Sequence, residues 1–487
     1  VKLPTQMVPL IGFAPDMPPF TPGVITDCAN VVPTNNGFAA ARSLVAQMPA
    51  LSAECRGAAV TADISGTRRL YAGTGTQLYV QDGSTWATVS RGGGYTDGGD
   101  NLWSFAQFGN ATVASNGLDT LQANISGGAF ADISGAPKAK VVVASADFVL
   151  AFNTNDATYG AQGDRWWCSA FRAHTDWTPS VTTMATTGRL IGDGGDLTAA
   201  CRMGSQVVAY KARSMFLGSF VGAPVVWQWD KVPGDVGCVG QRAVCDIGGP
   251  QFFVGEDHLY IFDGTRPLPV GVGVVRQWFF ASLDSLYRDR TICVWDPTEG
   301  RVWILFVSTS SPDHKIDTAL VYHLVRQSWG VAKIGIEAAL QFFQSGTTMD
   351  GAPGTFGDAP VVSYDSALWA SDSRQLALID TTHTLTIASG PGLDSGMTTG
   401  DIGDDDVATM VRSLRLRYSV TPTSATVRGY TRAVASDSLT LVGASGPLAD
   451  GKLDCRQSGR WHRFAISFVG DVEFNALKVD VSRAGMR

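Results

Sequence analysis

Leu78-Tyr79-Val80-Gln81-Asp82-Gly83, followed by Thr85-Trp86-Ala87-Thr88-Val89, is the stretch on which the fold turns. Aromatic and β-branched residues on both sides of an Asp-Gly pair spell two short strands joined by a tight turn. The pattern returns at Leu259-Tyr260-Ile261-Phe262-Asp263-Gly264. It returns again, more loosely, at Val321-Tyr322-His323-Leu324 with Ser328-Trp329-Gly330-Val331, where Tyr322 and Trp329 keep the spacing of Tyr79 and Trp86.

Further hairpins fill the intervals. Gln206–Tyr210 turns into Ser214–Leu217, and Phe252–Val254 turns at Gly255-Glu256-Asp257. Thr291–Trp295 turns through Asp296–Gly300 into Arg301–Phe306, and Val361–Tyr364 turns into Ala367–Ala370. Short strands at such spacing predict an all-β chain built as a sandwich, barrel or propeller. They continue over roughly three hundred residues, far more than one sandwich uses. A unit of about 40 to 50 residues is the size of a propeller blade, so the span from Ala50 to Gly390 predicts a β-propeller of roughly six to eight blades. Helix is scarce. The one candidate is Val275–Tyr287, where Trp278, Phe279, Leu283 and Leu286 would form an apolar stripe.

Around this body the expected organisation is threefold. Residues 1–49 read as an extended, proline-bearing arm, which either embraces a neighbouring subunit or supplies a strand closing the propeller ring. Residues 50–394 form the propeller. Residues 395–487 form a small β-sandwich-like or open-barrel domain. In this last part Leu414, Leu416, Tyr418 and Val420 alternate with Arg415, Arg417 and Ser419, the signature of a half-buried strand. Ala425–Arg432, Arg460–Val469 and Val472–Val481 read as three more strands.

Composition narrows the function. Of 487 residues, 45% are hydrophobic and 17% charged, which excludes a disordered chain; the 55 glycines serve turns. The formal net charge of -7 disfavours tight phosphate-backbone binding by the chain as a whole. No long apolar run suggests a membrane-spanning helix. The opening Val1-Lys2-Leu3-Pro4 has no apolar core, so no secretory signal is expected. The eight cysteines lack any C-x-x-C pair and several sit among apolar residues, as buried thiols of a protein made in a reducing cytosol would. Cys238 and Cys245 are the one pair placed to bridge a hairpin.

Chemical constellations are weak. Asp82-Gly83-Ser84-Thr85-Trp86 lacks the leading Ser and the spacing of a sialidase Asp box, and Trp295-Asp296 lacks the Gly-His partner of a WD repeat. None of His174, His258, His314, His323, His383 and His462 has metal-ligand spacing with a second His or Cys. No G-x-S-x-G elbow exists; Gly443-Ala444-Ser445-Gly446 comes nearest and reads as a turn. The loop Gly400–Asp406, with Asp401, Asp404, Asp405 and Asp406, offers oxygen ligands for a hard cation, but a solvated linker is the plainer reading. Gly92-Gly93-Gly94 and Asp97-Gly98-Gly99-Asp100 precede no helix that would cradle a phosphate. Trp166, Trp167, Trp227, Trp229 and Trp303 suit either a sugar platform or the space between sheets, and the core reading is favoured. No catalytic, cofactor-binding or metal-ligating residue is therefore assigned, and no cofactor is expected.

Several segments together resemble the tail nozzle, or packaged-DNA stabilisation, proteins of short-tailed phages. They are Asp27–Pro33, Trp103–Asn110 with Ser115-Asn116-Gly117, Arg165–Ala170 with Asp176-Trp177, Val208–Lys211, Phe220–Trp227, Gly459–Phe464 and the closing Ala484–Arg487. Their order is right and they span nearly the whole chain, although none is catalytic. The resemblance implies a non-enzymatic virion protein, made in the host cytoplasm and located in the tail. Such a protein forms a ring, usually a homohexamer, below the portal and adaptor, and meets the tail fibre, spike or needle. Its ring retains packaged double-stranded DNA and conducts it at ejection without specific binding; no membrane partner is implied. The alternative is a carbohydrate-active propeller enzyme of the tail, of the depolymerase or sialidase type.

Overall fold

The computed structural model describes residues 7–343, 374–434, 436–444 and 451–483. The expected hairpin Val361–Ala370, the closing Ala484–Arg487 and Ser445-Gly446 lie outside the described residues.

The chain is all-β, and its repeated hairpins build a β-propeller. Five discrete four-stranded antiparallel sheets follow one another, each a simple meander. They span residues 57–88, 104–132, 138–189, 197–231 and 244–270. The first strand of each packs beside the first strand of the next, from Gly57–Ala62 round to Val244–Asp246 and on to Ile292–Asp296. The strand Ser328–Phe343 comes back to rest against Gly57–Ala62, so the series returns on itself. Turn chemistry follows the sequence: Leu78–Asp82 pairs with Thr85–Thr88 across Gly83, whose φ of +58° suits a residue without Cβ. Tyr322 and Trp329 are direct cross-strand partners with ring centroids 4.3 Å apart.

The expectation of six to eight separate blades is corrected to five discrete sheets. The remaining hairpins are fused into one thirteen-stranded sheet. The cause is the 16-residue strand Ser328–Phe343. Its first half pairs with Ile316–His323; from Ile336 onward it pairs with Arg374–Asp380, with an irregularity between Ile336 and Ala338. Arg374–Asp380 then pairs with Leu385–Ile387, and that strand with Val45–Ala46.

The amino-terminal residues lie in the chain's own sheets. Val24–Ala29 pairs with Ser395–Thr399, and Phe38-Ala39 pairs with Glu473-Phe474. Beyond residue 395, two sheets face each other. One holds Ser395–Thr399, Trp461–Val469 and Ser424–Arg432; the other holds Thr409–Val420, Lys452–Gly459 and Glu473–Arg483. Their alternating inward residues, among them Val411, Leu414, Val427, Phe464, Ile466 and Phe474, form one cluster with Phe252, Phe306 and Trp329 of the preceding sheets. Each fully buried side chain of this kind contributes roughly 1.5–3 kcal/mol relative to exposure, so the core is continuous across residue 395.

The expected helix is shorter than its apolar stripe suggested. It covers Arg276–Ser282 and is followed by a 3₁₀ turn, Ser285–Arg290, with Asp284 accepting the Leu286 N–H at 3.0 Å. Phe279 and Leu283 are buried, but Leu286 is 82% exposed. The Asp284 cap breaks the helical period before Leu286, which therefore turns to solvent.

Candidate functional site

A cavity of about 690 Å³ is lined by loops at residues 98–102, 116–118 and 239–241, by Lys140 and residues 153–155 and 161–163 of the third blade, and by Thr198 of the fourth. Its wall carries Asp100, Lys140, Asn155, Gln162, Asp196 and Gln241, with Asp289 beside them. Gly163 matters here because a Cβ would stand 2.1 Å from the Asp196 carboxylate. The lining contains no His, Cys, Ser or aromatic residue. It therefore offers hydrogen bonds and charge, from amides, carboxylates and one lysine.

Non-adjacent blades are tied to one another around this cavity. Gln241 Nε2 donates to the Lys140 carbonyl at 3.0 Å, and Arg290 pairs with Asp100 at 2.9 Å. Next to Gln241, Arg242 donates to the Glu337 carbonyl at 3.1 Å. Burial pushes the Arg242 guanidinium down to about 10, which still leaves it charged at neutral pH. Glu337 in turn accepts the Cys55 N–H at 2.8 Å and meets His383 Nδ1 at 2.7 Å. Sequence reading missed this hub. One signal existed: Glu337 is a lone carboxylate in the apolar run Ile336–Leu340, and a charge placed so is buried only with partners.

The residues weighed from sequence fall elsewhere. Asp401 does not face solvent with Asp404, Asp405 and Asp406. Its carboxylate is buried between Arg463, at 2.9 Å, and Arg432. Asp405 accepts the Trp461 indole N–H at 2.7 Å, and Asp404 caps the Asp406 N–H at 2.8 Å. The four carboxylates are thus spent separately. Among the described residues no group of three or more His, Cys, Asp or Glu is arranged to hold a metal ion.

Trp166, Trp167, Trp227 and Trp303 are buried. Trp229 packs on Trp166 at 5.4 Å and on Phe152 at 5.7 Å, inside the core between the third and fourth blades. Trp166, Trp227 and Trp229 thus face one another, whereas Trp167 and Trp303 are buried in two other clusters. His323 is buried, with Nε2 on Asn35 at 3.0 Å and Nδ1 accepting the Arg326 N–H at 3.2 Å. His258 Nδ1 rests 3.0 Å from Asp257. Asp296 caps its own turn through the Thr298 N–H at 3.2 Å, and burial raises its carboxyl above the usual range. Cys238 and Cys245 are both free thiols.

A second cleft, of about 600 Å³, opens between the amino-terminal strands and the carboxy-terminal sheets, with Leu10, Phe20, Val24, Ile402, Val479 and Val481 on its walls. Among the described residues no helix is long and apolar enough to cross a membrane.

No protein-family model matches the chain, and no curated protein matches it. Among solved structures it is similar to the extracellular domain of the putative hybrid two-component system BT4673 from B. thetaiotaomicron, at 8% identity and a TM-score of 0.41, over 78% of this chain and 44% of that one. It is similar to YCF48 bound to D1 peptide at 11% identity and a TM-score of 0.37, over 73% and 97%. It is similar to YjhT at 10% identity and a TM-score of 0.34, over 58% and 99%. The chain thus spans under half the length of the first of these. At such identities nothing those proteins bind passes to this one.

Proposed function

We propose that this chain is a non-enzymatic, ring-forming structural protein of a short-tailed phage tail, the nozzle that extends the DNA channel below the portal and adaptor. The observation that carries the reading is the polar cavity between blades, with non-adjacent blades tied beside it. A cavity of 690 Å³ equals a sphere about 11 Å across, narrower than the ~12 Å major groove of B-DNA alone. The Gln241–Lys140 and Arg290–Asp100 contacts tie its walls together. In this reading a duplex passes between subunits rather than through one, and each propeller serves as a wall of the channel.

The finer architecture follows from strand pairing. Ile292–Asp296, Arg301–Phe306, Ile316–His323 and the first half of Ser328–Phe343 make a sixth wall. The second half, with Arg374–Asp380, Leu385–Ile387 and Val45–Ala46, makes a seventh, closed by an amino-terminal strand. The sheets after residue 395 serve as a sandwich-like docking module. A closed ring, usually of six, needs two different contact faces per subunit, and propeller and module supply one each.

Electron microscopy of the assembled protein, with the mass of the purified particle, tests the reading. A closed ring of about six copies that is also found in virion tails is expected. A monomer absent from virions would overturn it.

A further inference from the structure

We infer that the outer face of the sheet formed by Thr409–Val420, Lys452–Gly459 and Glu473–Arg483 is a docking surface for the phosphate backbone of double-stranded nucleic acid. The inference rests on the channel role proposed above, and it names the surface that meets the polyanion.

The face is built by register. Arg415 stands opposite Lys452 on one side and Lys478 on the other, so three cations lie in one row across three strands. Neighbouring strands lie about 4.8 Å apart, which sets the spacing within the row. Arg417 follows on the same face, about 6.7 Å along the strand. At the other end a register shift between Val411 and Ser413 brings Arg412 onto the exposed side, near Arg456 of the neighbouring strand. Arg412, Arg415, Arg417 and Arg456 are all exposed. None of the four makes an ion pair or a side-chain hydrogen bond among the described residues.

Two carboxylates share the face. Asp454 is held by Lys452 at 2.8 Å, and Asp480 stands opposite Ser413. Six cations against two carboxylates leave a net +4 on one face of a chain whose formal charge is -7. Like charges placed directly opposite destabilise a sheet, so the row Lys452–Arg415–Lys478 works against the fold unless an anion covers it.

Charge complementarity selects the occupant. Guanidinium forks match phosphate oxygens, and free arginines at alternate positions follow a repeating anion better than an isolated carboxylate. A second copy of the chain, meeting the face with exposed carboxylates such as Asp82, Asp235 and Asp263, is the occupant that the test separates from it.

The test uses the purified full chain and a fluorescent duplex of mixed sequence, with anisotropy read between ~50 and ~200 mM salt. Contact of four arginines with phosphates predicts a slope of log affinity on log salt near -4, so affinity falls about a hundredfold across that range. The triple variant Arg412→Glu/Arg415→Glu/Arg417→Glu should lose most of the slope, reaching about -1, while its melting temperature stays at or above that of the wild type, because Arg415→Glu relieves the like-charge row. Arg172→Glu, on an exposed pair elsewhere, should bind as the wild type does. A wild type that binds no duplex, or a triple variant with an unchanged slope, would overturn the inference. So would a triple variant that keeps duplex binding but loses self-association in sedimentation, which would make the face a contact between copies. Because binding is read on the isolated chain, a ring seen in tails that ignores DNA sinks this surface alone. A chain that binds duplex yet is absent from virions sinks the channel role instead.

Discussion

Glu337 and Cys55, 282 positions apart, are joined by a 2.8 Å hydrogen bond from the Cys55 N–H to Oε2 of the carboxylate. Oε1 meets His383 Nδ1 at 2.7 Å, and the Glu337 side chain is only 1% exposed. Cys55 leads into the first blade, whereas Glu337 and His383 belong to the strands that return to it. One buried carboxylate therefore fastens the seam of the ring. Glu337→Ala leaves the Cys55 N–H and the imidazole without their acceptor, which costs roughly 2–3 kcal/mol, since His383 keeps some contact with water. Glu337→Gln retains one acceptor oxygen and should recover about half of that loss. Denaturant unfolding of the two variants beside the wild type checks both; an alanine variant as stable as wild type would remove the seam role.

The hairpins that meet at this seam were readable because they are local. Tyr79, Gly83 and Trp86 sit within one turn's reach, and period-two alternation at Leu414–Val420 needs no knowledge of the partner strand. Fusion into a thirteen-stranded sheet was not readable. Whether Ser328–Phe343 is one strand or two depends on Arg374–Asp380 lying beside it, a pairing that nothing in the local pattern encodes. The same holds for Val24–Ala29, whose partner Ser395–Thr399 lies hundreds of residues away. The ties of Gln241 to Lys140 and Arg290 to Asp100 exist only because the blades close a circle. Leu286 was misplaced for a local reason, since Asp284 just before it carries the cap that stops the helix.

Asp401 makes the second prediction. Its carboxylate is buried between Arg432 and Arg463 and joins the Gly400–Asp406 loop to the strands Ser424–Arg432 and Trp461–Val469. Asp401→Ala strands two half-buried guanidinium groups and should cost about 3–5 kcal/mol, the range for breaking a buried pair. Because the carboxylate is already spent on arginine, adding calcium or a chelator should leave the melting temperature of the wild type unchanged. A calcium-dependent rise in melting temperature would restore the loop as a cation site.

The thiols provide a third. Burial pushes the Cys55, Cys168 and Cys238 thiols up to about 12, and it raises Cys28, Cys245 and Cys293 as well. A thiol held protonated reacts slowly, because the thiolate is the nucleophile. At pH ~8 an aromatic disulfide reagent should find the buried thiols unreactive in the native chain and all eight reactive once it is unfolded. Each raised value also means stability that is complete below the unfolded thiol's ~8.5 and drains away as pH climbs toward the folded value. Rapid native labelling at Cys28 or Cys293 would contradict their burial.

Acid should weaken the fold before carboxylates of ordinary or lowered pKa titrate, and His462 gives the reason. Its Nδ1 accepts from Gln457 Nε2 at 3.0 Å, and its Nε2 donates to Thr409 Oγ1 at 2.9 Å. That arrangement fits only the neutral ring, because a proton on Nδ1 would face the Gln457 amide donor. Burial lowers the basicity of His462, and of His323 and His174 likewise. A histidine with a depressed folded pKa binds fewer protons folded than unfolded. Its stabilisation is therefore complete above the unfolded value of about 6.5 and is lost as pH falls through the folded value. Each such histidine contributes a slope of up to about 1.4 kcal/mol per pH unit in that window. Carboxylates such as Asp63, drawn down to about 2 by Ser65 and Arg69, act only at lower pH. Urea unfolding at pH ~8, ~6.5 and ~5.5 should show stability falling toward acid across the histidine window. His462→Gln, which keeps a neutral side chain between Thr409 and Gln457, should lower stability at pH ~8 yet flatten the acid slope by as much as one proton. Equal slopes for the variant and the wild type would mean that His462 takes up its proton in the folded chain as readily as in the unfolded one.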